Sequence, residues 1–476
     1  MGKSNPPPSK IIVMKFGGTS IGSLQAFENA VQIVKDAHDS GSKIIVVLSA
    51  MTGISDLLLR SVSDASAGRQ DFINQVSVEL RARHFEIAEE LVLSADRLDQ
   101  VKQEMFDLIN DFSSLCQAIR ILGEATPRAK DALASFGERL AVRLFAAVLA
   151  GRGVLAKYID ATDLIMTDDK FQAANPDFEI TRSQTRDKLQ PLLEKNVIPV
   201  VTGSIAASQQ HATTTLGRGG SDYSAAIIGA VIPADEVLIW TDVDGVMTAD
   251  PQYIREARSI PVLSYKEVAE LAYSGAKVLH PKTIRPAIEK QIPLRVVNTF
   301  NPGAPGTRLV ADRTLQGNGG IKAVTGIRGL SLITLEGRGM MGVPGVAART
   351  FQAVAGVNMS IPLISQASSE QSICFTVPKL SAASVIAAVE ASFAEELAHR
   401  DIDRIWASDE IAIITAVGMG MRNTPGIAGR IFSALGSEKI NVMAIAQGSS
   451  EVSISLVVNA NVMVKGLQTV HSLISF

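Results

Sequence analysis

Cysteine is nearly absent from this 476-residue chain: Cys116 and Cys374 are the only two. They give no disulfide framework and no zinc spacing, and they suit a reducing cytosol. The six histidines are scattered, with no His-x-x-x-His or similar pair, so no metal site is expected. A net charge of −3 leaves no electrostatic footprint for nucleic acid or an acidic membrane. The longest apolar run near the start, Ile44 to Leu48, is far too short to span a bilayer. A cytoplasmic chain is therefore expected. No Ser-His-Asp constellation supports a hydrolase. A Gly-x-Gly-x-x-Gly with a downstream acid is missing at the first strand, which argues against a dinucleotide enzyme.

What is present is a set of glycine-bearing turns at the ends of apolar runs. The chief one is Leu216-Gly217-Arg218-Gly219-Gly220-Ser221-Asp222, between the apolar Val197–Val201 and the small-residue helical pattern Ala225–Ala230. Backbone N–H groups converge at such a strand-to-helix junction and favour an anion. Arg218 adds a cation able to grip a phosphate or carboxylate bidentately. Asp222 falls near the helix start. A flexible loop with a capping aspartate is the plainer alternative.

Residues 1–10 are Pro-rich and polar and are expected to form a disordered tail. Ile11–Lys15 predicts a strand, Ser23 a helix cap, Leu24–Asp36 an amphipathic helix and Ser42–Leu48 a buried strand. This alternation is that of a doubly wound α/β sheet, whose ligands bind at the carboxyl ends of the strands. Residues 56–149 predict a helical insertion. Strand signals return at Val154–Ile159, Ile198–Thr202, Glu236–Thr241 and Leu294–Val297, and Asn301–Gly306 marks a domain end. Beyond it an 81-residue offset superposes Gly337–Met340 on Gly418–Met421, Pro344-Gly345 on Pro425-Gly426, and Gln366–Glu370 on Gln447–Glu451. Each copy reads strand, Gly/Pro loop, helix, strand, turn, strand, half or more of a ferredoxin-like βαββαβ unit.

Taken singly, the chemical candidates stay open. Lys15, before Gly17-Gly18, is either a cation for a transferring phosphoryl group or an ordinary strand-end lysine. Asp242 and Asp244 either face a nucleotide and its Mg²⁺ or make an Asp-Gly turn. Glu138, after Phe136-Gly137, either accepts a ligand ammonium group or lies on a helix surface.

Taken together, the motifs are familiar. Lys15-Phe16-Gly17-Gly18-Thr19-Ser20, Thr126-Pro127-Arg128 with Ser135–Arg139, Gly217–Asp222, Thr241–Gly245 and Gly275–Pro281 follow in the order of the aspartate kinases. From Lys15 to the C-terminus the chain resembles that branch of the amino-acid kinase family, and the repeat resembles its pair of ACT regulatory domains. The resemblance implies a kinase domain over 11–310 and ACT domains over 318–400 and 401–476. It implies transfer of the ATP γ-phosphoryl group to the β-carboxylate of L-aspartate, the first step toward lysine, threonine and methionine. Lys15 would stabilise the phosphoryl charge and Asp222 would organise the site. Arg218 would hold the α-carboxylate, with Ser221, Gly219 and Gly220 beside it, and Glu138 the α-ammonium. Ser55 would touch the substrate. Phe16, Gly17, Gly18, Thr241, Asp242, Met247, Gln252, Lys277 and Val278 would surround ATP, which carries its own Mg²⁺. Met340, Met341, Gly342, Val343, Pro344, Gly345, Ser360 and Gln366 would bind an amino-acid effector. Gln366 favours threonine, with lysine as runner-up.

The chain departs from the family at Met247, where tyrosine is common, at Gln252, where arginine is common, and at Ser360, where asparagine is usual. Other amino-acid kinases, such as acetylglutamate or uridylate kinases, lack the Phe-Gly-Glu segment, the insertion and the paired repeats. An amino-acid sensor with an impaired kinase domain is the alternative from another class. Its footing is Met247 and Gln252, and the intact Lys15, Arg218, Asp222 and Lys277 argue against it. The chain ends at Phe476, soon after the second repeat, so a monofunctional chain is expected, as a homodimer or larger assembly through the ACT domains.

Overall fold

The computed structural model describes residues 10–276, 279–311, 320–421, 424–448 and 452–474. The expected N-terminal tail, all but Lys10, lies outside the described residues.

The first elements follow from hydrophobic pattern. They are β1 (Ile11–Phe16), α1 (Leu24–Asp39) and β2 (Lys43–Leu48). The Ser23 hydroxyl accepts from the Ala26 N–H at 3.3 Å and starts α1. That helix buries Phe27, Ala30, Val31 and Val34 on one face. It runs three residues past the expected Asp36, since nothing before Gly41 breaks it.

The insertion comprises α2 (Ile54–Ser66), α3 (Gln70–Leu91), α4 (Ala95–Leu122), α5 (Pro127–Ala134) and α6 (Phe136–Gly151). These pack on the sheet in one apolar core that includes Phe16, Phe27, Phe112 and Phe145. Next come β3 (Ala156–Ile159), β4 (Met166–Thr167), α7 (Phe178–Glu194), β5 (Ile198–Thr202), β6 (Ile205–Ser208), β7 (Thr213–Thr215), α8 (Gly220–Val231) and β8 (Glu236–Thr241). After them follow β9 (Val262–Ser264), α9 (Tyr265–Tyr273), α10 (Pro281–Glu289), β10 (Leu294–Asn298) and β11 (Thr307–Val310).

The main sheet has the order β3-β5-β2-β1-β8-β10-β11-β9. From β3 through β10 neighbouring strands are parallel. Their near-continuous Val and Ile runs fit a sheet covered on both faces. The chain passes to one side of β1 through β2 and to the other through β8, so the topological switch point lies at β1, where such sheets bind ligands.

Two segments add to the expectation. Asn301–Gly306, expected at a domain end, is followed by one more strand of the sheet, β11, antiparallel to β10. The polar stretch after β5 is not a plain connection. It forms the β6–β7 hairpin, which with β4 makes a small separate sheet.

The remaining elements are β12 (Ala323–Glu336), α11 (Val346–Gly356), β13 (Ile364–Gln366), β14 (Ser372–Pro378), α12 (Ala382–Ser392), α13 (Ala394–His399) and β15 (Arg404–Val417). Then come α14 (Ile427–Ser437), β16 (Ala444–Gln447), β17 (Ser453–Asn459) and α15 (Met463–His471). Their sheet has the order β13-β14-β12-β15-β17-β16. β12 and β15 are long, antiparallel and bulged near Leu330, and each serves both halves. Leu332–Glu336 pair with Arg404–Ser408 in the first half, whereas Ala323–Ile327 pair with Ile413–Val417 in the second. The second copy of the repeat thus takes its fourth strand from residues that precede the first copy. Helices cover one face of each half over separate cores. The helix-free faces share a third core, in which Leu330, Leu332 and Leu363 meet Ile411, Ile413, Ala444 and Val457.

By packing, the chain divides into two units. The first holds residues up to Val246 with Pro261–Leu263 and Leu279–Ala311. The second holds Met247–Ile260, Ser264–Val278 and Asp312–Phe476. Parts of the expected kinase span 11–310 therefore pack with the regulatory sheet. No described helix is long and apolar enough to cross a membrane.

Candidate active site

Lys15 ends β1, in register with Val47 of β2 and Ile239 of β8. The Gly17 N–H bonds the Trp240 carbonyl, which ties the β1 turn to β8. Beneath this turn Phe16 stacks on Trp240, ring centres 5.8 Å apart. The strand end is thereby held in place by apolar packing from below.

Opposite Lys15 lies the start of α8. Gly219 precedes this helix at φ +72°, a left-handed conformation that favours glycine. A Cβ there would also stand 2.9 Å from the Thr283 methyl. Asp222 falls in the helix's first turn. Its Oδ1 lies 2.7 Å from Lys15 Nζ, with both side chains mostly shielded from water. The contact is an ion pair by distance without the direction of a hydrogen bond, for Oδ1 has no hydrogen-bond partner among the described residues. A lysine, a carboxylate and a helix N-terminus thus meet at one point, as the sequence suggested.

Glu138 is not on a surface. It is 6% exposed, in the first turn of α6. Gly137 lets that turn approach the loop after β2: a Cβ on it would sit 2.6 Å from the Ala50 Cβ. Burial pushes the Glu138 carboxyl up to about 8. The N–H groups of Glu138 itself and of Ala50, and the charge of Arg139, act in the opposite direction. A buried carboxyl of this kind gains from a cationic partner.

Arg218 is exposed and pairs with no acid among the described residues. Ser221 is buried, and Ser55 is exposed in the first turn of α2. Two part-buried contacts that the sequence did not reveal lie behind the Arg218 loop. Asp131 accepts from the Gln172 and Thr215 N–H groups at 2.8 Å and from the Thr215 hydroxyl at 2.9 Å. Burial raises the Asp131 carboxyl, and these three bonds oppose the rise. Arg139 reaches Asp160 at 2.7 Å and the Thr213 hydroxyl at 3.4 Å. In sequence both are ordinary helix charges. The β6–β7 hairpin brings Thr213 and Thr215 to them, and Gln172 and Asp160 come from elsewhere in the chain.

At the end of β8, Thr241 donates to its neighbour Asp242, which is exposed. Asp244 instead belongs to the turn, accepting from the Asn298 and Asn301 amides at 2.8 and 3.1 Å. Met247 and Gln252 belong to the second unit, where Met247 bridges Ser259 and the Gln252 N–H is bonded to Asp250. Lys277 and Val278 lie outside the described residues. Among the described residues no group of three or more His, Cys, Asp or Glu is arranged to hold a metal ion.

In the second unit, Met340, Gly342–Ala347, Gln366, Glu370 and Ile373 line a cavity of about 290 Å³. Glu370 accepts from the Gly342 N–H at 3.0 Å across it. Met341 and Ser360 are exposed and are not among the lining residues. At the repeat-related place Met421, Thr424–Ala428, Gln447 and Ile454 line a cavity of about 420 Å³. The 81-residue offset already placed Gln447 on Gln366, which was the available signal for this second cavity.

The Amino acid kinase family model matches residues 10–298, which carry the whole Lys15–Asp222 arrangement. The chain belongs to the amino acid kinase family. The ACT domain model matches residues 333–393 and 414–473. Among relatives, this amino acid kinase is 33% identical to Aspartokinase 3, chloroplastic, of Arabidopsis thaliana, over 97% of the chain and 81% of that protein. It is 37% identical to Bifunctional aspartokinase/homoserine dehydrogenase 2, chloroplastic, of the same plant, over 97% of the chain and 50% of that protein. The chain spans about half the length of the bifunctional relatives it matches. Solved structures of aspartokinase III from E. coli, one with aspartate and ADP and one with lysine and aspartate, superpose with TM-score 0.78 at 29% identity. They cover 98% of this chain and 100% of theirs. The doubly wound kinase fold and the paired ACT regions expected from sequence are thus both present.

Proposed function

We propose that this chain transfers the γ-phosphoryl group of ATP to the β-carboxylate of L-aspartate. The observation that carries the reading is the Lys15–Asp222 pair at the N-terminus of α8. A carboxylate acceptor is already a nucleophile and needs no general base, so positioning and charge stabilisation carry the chemistry. Lys15 supplies a cation beside amide dipoles where the phosphoryl charge spreads. Asp222 fixes that ammonium in place. Arg218 holds the α-carboxylate with Ser55, Ser221 and the Gly219–Gly220 backbone close by, and Glu138 takes the α-ammonium. Phe16, Gly17, Gly18, Thr241, Asp242, Met247 and Gln252, with Lys277 and Val278, serve the nucleotide. The exposed Asp242 is the carboxylate available to a hydrated Mg²⁺ arriving on the phosphates. The product, 4-phospho-L-aspartate, would enter lysine, threonine and methionine biosynthesis in a reducing, cytosolic compartment.

The regulatory reading follows from the Gln366 cavity. Glu370 offers a partner for an effector's α-ammonium, and Gln366 offers donor and acceptor to a side-chain hydroxyl. L-threonine is the effector this favours. L-lysine, which the E. coli protein binds in one of its structures, is the competitor. ACT regions of two chains would associate as a dimer or larger assembly. A hydroxamate assay with ATP and aspartate, titrated separately with threonine and lysine, tests both readings. Absence of aspartyl phosphate would overturn the first. Inhibition by lysine alone, or threonine inhibition untouched by Gln366→Ala, would overturn the second.

A further inference from the structure

The turn bearing Met247 and Gln252 is built into the second half of the regulatory sheet. Thr248 is fully buried and uses every polar atom it has. Its N–H donates to the Arg258 carbonyl at 2.8 Å, and its carbonyl accepts from the Val324 N–H of β12 at 2.8 Å. Its hydroxyl accepts from the Arg258 N–H at 3.0 Å and lies 2.9 Å from His471 Nε2, at the end of α15. Ala249 and Ile254 share an apolar core with Val324, Ile414, Met463, Leu467 and Val470. The Arg328 guanidinium sits over the Tyr253 ring at 5.5 Å.

A second fixing point lies at α9. Glu267 is fully buried and accepts from the Met419 N–H at 2.7 Å, the Ser264 N–H at 2.7 Å and Lys322 at 3.1 Å. Met419 opens the short turn whose last residue, Met421, packs in the same core as Ala249 and Ile254.

The repeat shows that the fold itself does not demand these contacts. At the 81-residue offset His471 corresponds to Glu390, which is exposed near the end of α12. The two helices are otherwise in register, α12 starting at Ala382 and α15 at Met463. The histidine is therefore specific to the copy that carries the 247–260 turn.

We propose that Thr248 and His471 are a positioning pair for the nucleotide, fixing the backbone that presents Met247 and Gln252. The inference rests on the reading above that these two residues serve ATP. Neither member of the pair is among the residues assigned to ATP or aspartate. Both set where the turn lies, so losing their bond weakens nucleotide binding and spares aspartate binding. A buried hydroxyl that loses a partner leaves the turn free to shift, and a displacement on the order of 1 Å at a binding residue is enough to change affinity.

The test uses the full chain and titration calorimetry with Mg²⁺ and a non-hydrolysable ATP analogue, alongside the KM for aspartate. His471→Leu is expected to weaken the analogue about tenfold, with aspartate KM within about twofold of the parent. His471→Gln, whose amide can reach the same hydroxyl, is expected to restore binding. Glu390→Leu, the same kind of change in the other copy, is expected to leave analogue affinity as in the parent. Parent-like binding by His471→Leu would overturn the proposal. So would equal worsening of both ligands, or a His471→Gln no better than His471→Leu. Calorimetry needs no turnover, so a parent chain that binds the analogue but leaves aspartate unphosphorylated overturns the kinase reading alone.

Discussion

On the proposed function, Glu138 couples aspartate binding to protons. Its carboxyl is held at about 8 in the ligand-free protein by burial against the Ala50 loop. The distance from its ordinary 4.5 corresponds to about 5 kcal/mol against the ionised form. At pH 7 about nine molecules in ten then carry the proton. An α-ammonium group beside Glu138 favours the carboxylate, so binding must expel that proton. Aspartate affinity is therefore expected to rise from pH 6 toward pH 8, by up to about tenfold per pH unit, and to level off above. Folding runs the other way. The folded state holds this proton more tightly than the unfolded chain, so this stabilising contribution is full below about pH 4.5 and is lost as pH rises to about 8. Calorimetry of aspartate binding at pH 7, in two buffers of different ionisation enthalpy, reads proton release directly. Close to one proton released per aspartate is expected. Glu138→Gln is expected to abolish the release and the pH slope, to weaken aspartate at pH 8 on the order of tenfold or more, and to raise Tm at pH 8. A flat affinity between pH 6 and 8 with no proton release would show that Glu138 does not meet the ammonium group.

Three other outcomes are expected. Lys15→Ala lowers kcat on the order of 10²-fold or more with little change in aspartate KM, because the ammonium acts where charge develops; steady-state kinetics showing near-parental kcat would dismiss its role. Arg218→Lys raises aspartate KM, since a point charge cannot replace a bidentate fork; unchanged KM and kcat would place that grip elsewhere. His84 is fully buried in α3, its Nδ1–H donating to the Leu80 carbonyl at 2.7 Å and its Nε2 without a partner among the described residues. Burial holds it at about 4 against an ordinary 6.5, so the unfolded state binds the extra proton between those values. Stability is expected to fall by about 3 kcal/mol as pH drops from 6.5 to 4, and His84→Met should flatten the urea midpoint over that range; a parental acid slope in the variant would assign the sensitivity to other groups.

Where local pattern decides structure, the sequence was legible. Ile44–Leu48 could only be a buried strand, Ser23 capped the helix it preceded, and Lys15 and Asp222 fell at the two ends that the sheet brings together. It was least legible where small or polar residues take their place from distant partners. The β6–β7 hairpin is rich in Ser, Ala and Thr and turns through positive φ at Ser204 and His211, which no apolar period announces. Glu138 was visible as an acid after a glycine, but its burial depends on Ala50 approaching from another loop. Asp131 looked like any helix aspartate. The segment 247–276 could not be assigned by chain order, because its apolar residues Ala249 and Ile254 find their core among strands and helices more than 60 residues later.

The exchange of strands between the two halves of the regulatory sheet bears on how this region is made. Residues 323–327 leave the ribosome long before their partners 413–417, and the first half must fold in between. Closing that span costs loop entropy before any pairing returns it, so the second half has high contact order although its repeat looks self-contained. A fragment beginning at residue 401 would lack the 323–327 strand, and one ending at 400 would lack the 404–408 strand that borders the first half. Cleavage between the copies should therefore leave two unstable pieces that complement each other when mixed, the behaviour of a single interlaced folding unit grown from a duplication.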